Sequence, residues 1–245
     1  MRQRKISHRR WILIWRNRNK KQWKGLLFLI PSLLGTGGFV FLPFLDVIRR
    51  SFFRASGTGF VGLANYEAVL GNEAFCMAVK NTARFLCICL PLLLGLSLLT
   101  AVLAGQVLRV SGLLKSGFLI PMAVPTASAV VFFRLMFDKN GWMNGALQAF
   151  GMEGQDWLNS GNAFVVLIAC YVWKNLGYDM VLWMAGLSSI PKEQYEAARV
   201  QGAGELQCFL YITLPQLKET AFVTALLSFV NGFRVFREAY LIAGD

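Results

Sequence analysis

Little in this 245-residue chain has the pattern of a catalytic set. The single histidine, His8, lies in a basic terminal segment, so Ser-His-Asp and Cys-His arrangements are excluded from the rest of the chain. Neither a G-x-x-x-x-G-K-S/T phosphate loop nor an H-E-x-x-H pair occurs, so the chain does not spell out a P-loop nucleotide site or a helical zinc site. The cysteines Cys76, Cys87, Cys89, Cys170 and Cys208 show neither metal-ligand nor disulfide-framework spacing. They read as small apolar fillers. No catalytic residue and no metal ligand is therefore expected. Two polar groupings remain, and both are mechanical or recognitional in character.

The first is Ile190 to Pro215, IPKEQYEAARVQGAGELQCFLYITLP, a polar island between apolar segments. Pro191 can open a short helix, because its fixed φ suits the first helical position. Glu193 then sits in the first turn, against the positive end of the helix dipole. Gly202 and Gly204 end that helix, and a second short one is expected from about Glu205 to Tyr211. The small side chains Ala197 and Ala198 would let a partner approach closely. The second grouping is Lys174, Asn175, Tyr178, Asn231 and Arg234, set within otherwise apolar segments. A charge at mid-membrane costs about 2.5–3.5 kcal/mol on insertion scales and faces a bundle interior or wet cavity. Lys174 and Tyr178 are i,i+4 and Asn231 and Arg234 are i,i+3, so each pair shares a helix face. These five are candidates for a translocation path, with snorkelling or helix–helix bonding as the alternative. Lys174 and Asp179, five apart, are not an obvious pair.

The elements that must position these residues are membrane spans. The chain is 56% hydrophobic and only 16% charged, with a mean hydropathy of +0.49. A soluble domain is nearer a quarter charged. Net charge is +12, yet ten Lys or Arg and no acid fall within residues 1–24. Charge abutting an apolar span favours cytoplasmic retention and anionic lipid, rather than the folded basic face of a nucleic-acid binder. Residues 1–24 therefore read as a basic cytoplasmic tail, with Trp11 and Trp15 as headgroup anchors or the whole as a disordered tail.

Gly25 to Leu45 is a charge-free stretch long enough to cross the hydrocarbon core, and 46–84 follows as an external segment. Phe85 to Leu108 is the second span, and Arg109 to Ser116 a cytoplasmic turn. Gly117 to Phe133 is a third span, broken by Pro121 and Pro125. Arg134 to Asn162 is a polar external loop, whose Trp142 and Trp157 are interfacial anchors or contacts for an external protein. A fourth span runs from Ala163 to about Leu187, and a fifth from near Pro215 to about Arg234. Five spans from an internal start place 190–215 in the cytoplasm.

The Ile190–Pro215 stretch also carries a resemblance. Glu196-Ala197-Ala198, three residues, Gly202, nine residues, then Ile212-x-Leu214-Pro215 resembles the coupling-loop signature of binding-protein-dependent ABC importer permeases. FVGLANYEAVL at 60–70, followed by Phe75 and Asn81-Thr82, is similar to the lead-in of sugar-type members such as the maltose transporter permeases. Many of these carry an acid just before the glycine, where Gln201 stands here. That departure weakens any specific charge contact at the position and leaves the coupling role in place.

The resemblance covers about residues 21 to 245. It implies an all-α polytopic membrane bundle with the ABC importer permease fold and a permease core at 85–245. It implies an ATPase-coupling loop of Glu196, Ala197, Ala198, Gly202, Ile212, Leu214 and Pro215. It also implies alternating access and a sugar or oligosaccharide cargo. The partners it implies are an ATP-binding cassette ATPase dimer, a second permease and an extracytoplasmic solute-binding protein, besides membrane lipid and without nucleic acid. No cofactor is expected in this chain, ATP and magnesium belonging to the ATPase. Similar permeases continue with another span, so a sixth is expected beyond Asp245. The other reading is an ion-coupled secondary carrier or channel, which calls for internal repeats and more carboxylates within the spans than Asp179 and Glu238. An intramembrane enzyme ranks behind it for want of a catalytic set.

Overall fold

The computed structural model describes residues 28–57, 59–107 and 112–243. The basic segment 1–24, the first residues of the first span and Arg109 lie outside the described residues. Regular structure among the described residues is helical apart from one isolated antiparallel bridge, Phe53 with Phe60. The chain forms two compact units, Met1–Met77 and Ala78–Asp245.

In the first unit, helix α1, Phe28–Ser51, is 24 residues long with a mean hydropathy of 1.8. At 1.5 Å per residue it is about 36 Å long, enough for the hydrocarbon core. One π-turn, Gly37–Phe41, interrupts its α geometry. None of its apolar window is buried by protein, as suits a surface offered to lipid. The expected span ended at Leu45, but the helix continues to Ser51, where Asp46 pairs with Arg49 and Arg50 at 3.1 and 2.6 Å. The segment after it is folded. Asn65 Nδ2 donates to the carbonyls of Ser51 and Phe53, both at 2.8 Å, and α2, Ala64–Leu70, follows.

Helix α3, Glu73–Val107, has 35 residues, so the helix that carries the second span starts twelve residues before the expected Phe85. It keeps its α path through Pro91. Helices α4, Gly112–Ala123, and α5, Thr126–Met136, cover the expected third span. They are bent by 95° at Val124 and Pro125. Pro125, at φ −55° and ψ 137°, supplies the extended residue at which one helix stops and the next begins. Pro121 is absorbed inside α4.

After α5 come α6, Trp142–Ala149, and α7, Ala163–Ser188. Then come the short α8, Lys192–Val200, and α9, Glu205–Cys208. Last are α10, Lys218–Gly232, and α11, Phe236–Ala243. By length and apolarity α1, α3 and α7 can each cross a membrane, and the bent α4–α5 pair makes a fourth if it counts as one span. The expected fifth span corresponds to α10, which has 15 residues. It is cut short by the break around Leu217 on one side and the turn after Gly232 on the other.

Helix α7 is the common member of all three apolar clusters in the second unit. Ile168, Tyr171 and Val172 pack with Phe85, Leu86, Cys89 and Leu93 of α3. Met180 and Trp183 pack with Ala101, Ala104, Ile190 and Leu217. Val166 and Cys170 pack with Val130, Phe133, Phe137 and Ile242. α4 crosses α7 at Gly177, where an added Cβ would run into the carbonyl oxygen of Phe118. Only a glycine permits that approach, as at other tight helix crossings in membranes.

The 137–162 connection is ordered by Asn144, which is 2% exposed. Its Nδ2 donates to the carbonyls of Asp138, Lys139 and Gln155 at 3.3, 3.0 and 2.9 Å. Its Oδ1 accepts from the Gln155 N–H and from Trp157 Nε1, both at 2.9 Å. Trp157 also sits edge-on to Phe137, so it is held within the protein, whereas Trp142 is 80% exposed. Asn144→Ala removes the one oxygen that accepts from both the Gln155 N–H and Trp157 Nε1. The two donors are only partly buried, so the expected loss is about 1 kcal/mol for each hydrogen bond removed, read as a lower melting temperature and faster proteolysis within 137–162.

In the same connection the Asn159 backbone N–H, and then the Lys139 ammonium, hold the Asp156 carboxyl below the ordinary carboxylate range. A depressed pKa in the folded state contributes stability above the unfolded value and loses it as pH falls through the folded one. Proteolysis of 137–162 is therefore expected to stay flat from neutral pH down through the usual carboxylate range and to rise only below it. In Asp156→Asn that acid-side rise should disappear.

Candidate functional site

The elbow between α7 and α10 is built from local signals. Pro191, at φ −62° and ψ 133°, caps α8 from outside its first turn, one residue before the position expected of it. Glu193 occupies that first turn and Arg199 the last, each favourable to the helix dipole. The helix stops in a Schellman arrangement. The Ala203 N–H donates to the Ala198 carbonyl and the Gly202 N–H to that of Arg199, both at 3.0 Å, and Gly202 has φ +86°. A left-handed residue at this place is what glycine supplies without strain.

α9 then runs into a π-turn, Phe209–Thr213, so the second helix expected to about Tyr211 changes its hydrogen-bond pattern after Cys208. The two arms are pinned together. Tyr195 and Thr213 share a hydroxyl–hydroxyl bond of 2.8 Å, and Gln216 donates to Gln194. The exposed pair Arg199–Glu205, at 3.0 Å, adds little.

Two grooves flank the elbow. One, of about 360 Å³, is lined by Ala198, Gly202 and Ile212 among others. The other, of about 610 Å³, is lined by Lys192, Glu196, Arg199 and Glu205 against the end of α7. Glu196, Ala197, Leu214 and Pro215 are exposed. So are the large apolar side chains Val200, Leu206 and Tyr211, at 88, 70 and 79%. Three large apolar side chains this exposed on one short elbow are candidates for contact with another protein.

The second site lies between α7, α10 and α11. A cavity of about 270 Å³ is lined by Tyr171, Lys174, Asn175, Asn231, Arg234 and Glu238, with Met122. Four of the five residues expected near the path thus meet around one space. Tyr178 does not line it. α4 crosses α7 at Gly177, between Lys174 and Tyr178, so the i,i+4 face they share is interrupted before Tyr178 is reached. Sequence spacing gave no sign of Lys174's partner. Its Nζ lies 3.5 Å from Glu238 Oε1, with side chains 15 and 11% exposed. Thr126 bridges the pair, accepting from Lys174 Nζ and donating to Glu238 Oε1 at 3.4 Å. Asp179 is separate from this group, accepting from Ser228 Oγ at 2.7 Å. Trp183 Nε1 donates to Ser97 Oγ at 3.0 Å. The polar atoms of α7 thereby bond to four other helices.

A family model described as "Binding-protein-dependent transport system inner membrane component" matches residues 94–245. The arabinooligosaccharides transport system permease protein AraP of Bacillus subtilis is 35% identical over 88% of this chain and 71% of its own length. The trehalose/maltose transport system permease protein MalF of Thermococcus litoralis is 33% identical over 90% and 77%. The crystal structure of a bacterial ABC transporter that imports the acidic polysaccharide alginate shares the fold with a TM-score of 0.78 at 20% identity, over 94% of this chain and 80% of that one. The chain belongs to the family of inner-membrane components of binding-protein-dependent ABC transport systems. It is a multi-pass permease subunit, and members of this family work as transport subunits rather than as enzymes.

Breaking a buried ion pair by removing one partner costs about 3–5 kcal/mol, whereas replacing both with apolar residues is far cheaper. Lys174→Met and Glu238→Leu should each lower the melting temperature of the purified protein clearly, and the double variant should recover most of the loss. Additive losses in the double variant would show that the pair is not coupled.

Proposed function

We propose that this chain forms half of the translocation path of an importer that carries a saccharide across the cytoplasmic membrane by alternating access. The Glu196–Gly202 elbow is gripped by a separate ATPase. The observation that carries this reading is the elbow itself: a Gly202-terminated helix pair, cross-pinned by Tyr195 and Thr213, with Ala197 and Glu196 turned outward. ATP and magnesium bind the partner ATPase dimer. A second, related permease completes the bundle, and an extracytoplasmic solute-binding protein delivers cargo to the opposite face, where Trp142 stands exposed. The basic 1–24 segment keeps the N-terminus inside, which puts the elbow inside as well. A saccharide cargo is supported by what the relatives are named for, arabinooligosaccharides and trehalose/maltose. The cavity at Lys174, Asn175, Asn231 and Arg234 lies along the path, and its hydrogen-bonding groups suit a polyhydroxylated solute.

The test is cargo-stimulated ATP hydrolysis by the reconstituted complex with its binding protein. Gly202→Val places a β-branched residue at positive φ and distorts the elbow, and Glu196→Lys reverses a charge on the groove. Each is expected to lower stimulated hydrolysis by about tenfold or more, a change of about 1.4 kcal/mol in effective coupling, while the subunits still co-purify. Uptake that proceeds without nucleotide would contradict the reading.

A further inference from the structure

Resting on the proposed function, we propose that the cargo unit held at this cavity is an acidic sugar bearing a single carboxylate, of the uronate type, with Arg234 as its anion-binding residue. The charge balance around the cavity leads there. It is lined by two cations, Lys174 and Arg234, and one carboxylate, Glu238. Glu238 is already taken by Lys174 and by the Thr126 hydroxyl. No carboxylate among the described residues lies within ion-pair distance of Arg234, and its side chain is exposed.

One positive charge is therefore left over in a segment where a charge is costly unless it faces a cavity or a partner. A single carboxylate balances it. A phosphate ester, at about −1.5 to −2 near neutral pH, would leave negative charge uncompensated. The planar guanidinium fork also matches a planar carboxylate with two parallel hydrogen bonds.

The rest of the lining is suited to hydroxyls. The Tyr171 hydroxyl is buried and has no hydrogen-bond partner among the described residues. Asn175 spends one amide hydrogen on the Tyr171 carbonyl at 2.8 Å and keeps its oxygen. Asn231 contributes a further amide. At about 270 Å³ the space falls just under the range of about 300–1,000 Å³ that holds drug-sized ligands. It therefore takes one ring-sized unit of a longer chain at a time.

The experiment uses the complete transporter in proteoliposomes with its binding protein and ATP. It compares uptake of labelled digalacturonate with that of its neutral counterpart, digalactose. The same binding protein serves every form, so a changed acidic-to-neutral ratio reports the permease. The wild-type complex is expected to favour the acidic sugar. Arg234→Gln should reduce that ratio by about tenfold, as loss of a hydrogen bond to a charged group implies. Arg234→Lys, which keeps the charge and loses the fork, should fall between. A wild-type complex indifferent to the carboxylate, or a ratio unchanged in both variants, overturns the proposal while ATP-dependent uptake of the neutral sugar leaves the saccharide reading standing. ATP-dependent uptake of neither sugar overturns both.

Discussion

Everything in the second unit depends on one constraint: α7 is the most buried of the long apolar helices among the described residues, with 44% of its apolar window inside the protein, and it carries polar side chains that lipid cannot satisfy. Three of them find partners on other helices. Lys174 reaches Glu238 and Thr126, Asp179 takes Ser228, and Trp183 reaches Ser97. Three apolar clusters close around the same helix, and Gly177 lets the α4 backbone lie directly against it. An unsatisfied polar group in hydrocarbon costs several kcal/mol, so these pairings fix which helices neighbour α7 and which of its faces each meets. The same requirement explains why the polar cavity forms there. The Lys174–Glu238 bridge draws α11 against α7, and the space left beside it is lined by what remains polar.

The elbow is an extension of that frame. Ile190, just past the end of α7, is buried with Met180, Trp183 and Leu217 in one cluster, and Tyr195 and Ile212 pack against it. A push on α8 is thus transmitted to α7 and to the start of α10 together, since neither arm can move without disturbing a shared apolar contact. On the proposed reading, this carries work done at the ATPase to the helices bordering the cavity. Densely packed interfaces change between discrete arrangements rather than deforming continuously.

What the sequence made legible were features set by local chemistry. The 163–188 helix follows from apolar length despite Lys174 and Asp179. The elbow follows from Pro191, Glu193 and Gly202, whose effects act within one turn. The break at Pro125 was readable, whereas Pro121, also expected to interrupt the span, stays inside α4. The 95° bend was not readable, because a single extended residue at Pro125 leaves the direction of the next helix to tertiary packing. The early start of α3 at Glu73 has no apolar signal, since a helix can continue past its membrane-crossing part into polar sequence. The Lys174–Glu238 pair, 64 residues apart, and the Asn144 hub depend on long-range folding with no local spacing to betray them. Tyr178 shows the reverse case: a correct periodic argument made on an isolated helix, interrupted by the crossing at Gly177.

The most direct measurement is disulfide or bifunctional cross-linking from a cysteine at position 197, introduced as Ala197→Cys after the five native cysteines are replaced, to the co-purified ATPase subunit. The expected result is a cross-link to the ATPase whose yield changes with nucleotide, together with protection of position 197 from membrane-impermeant maleimide added to intact cells. Efficient labelling of position 197 from outside the cell, or no cross-link to any ATPase in the assembled complex, would contradict the claim that this elbow is where ATP-driven motion enters the permease.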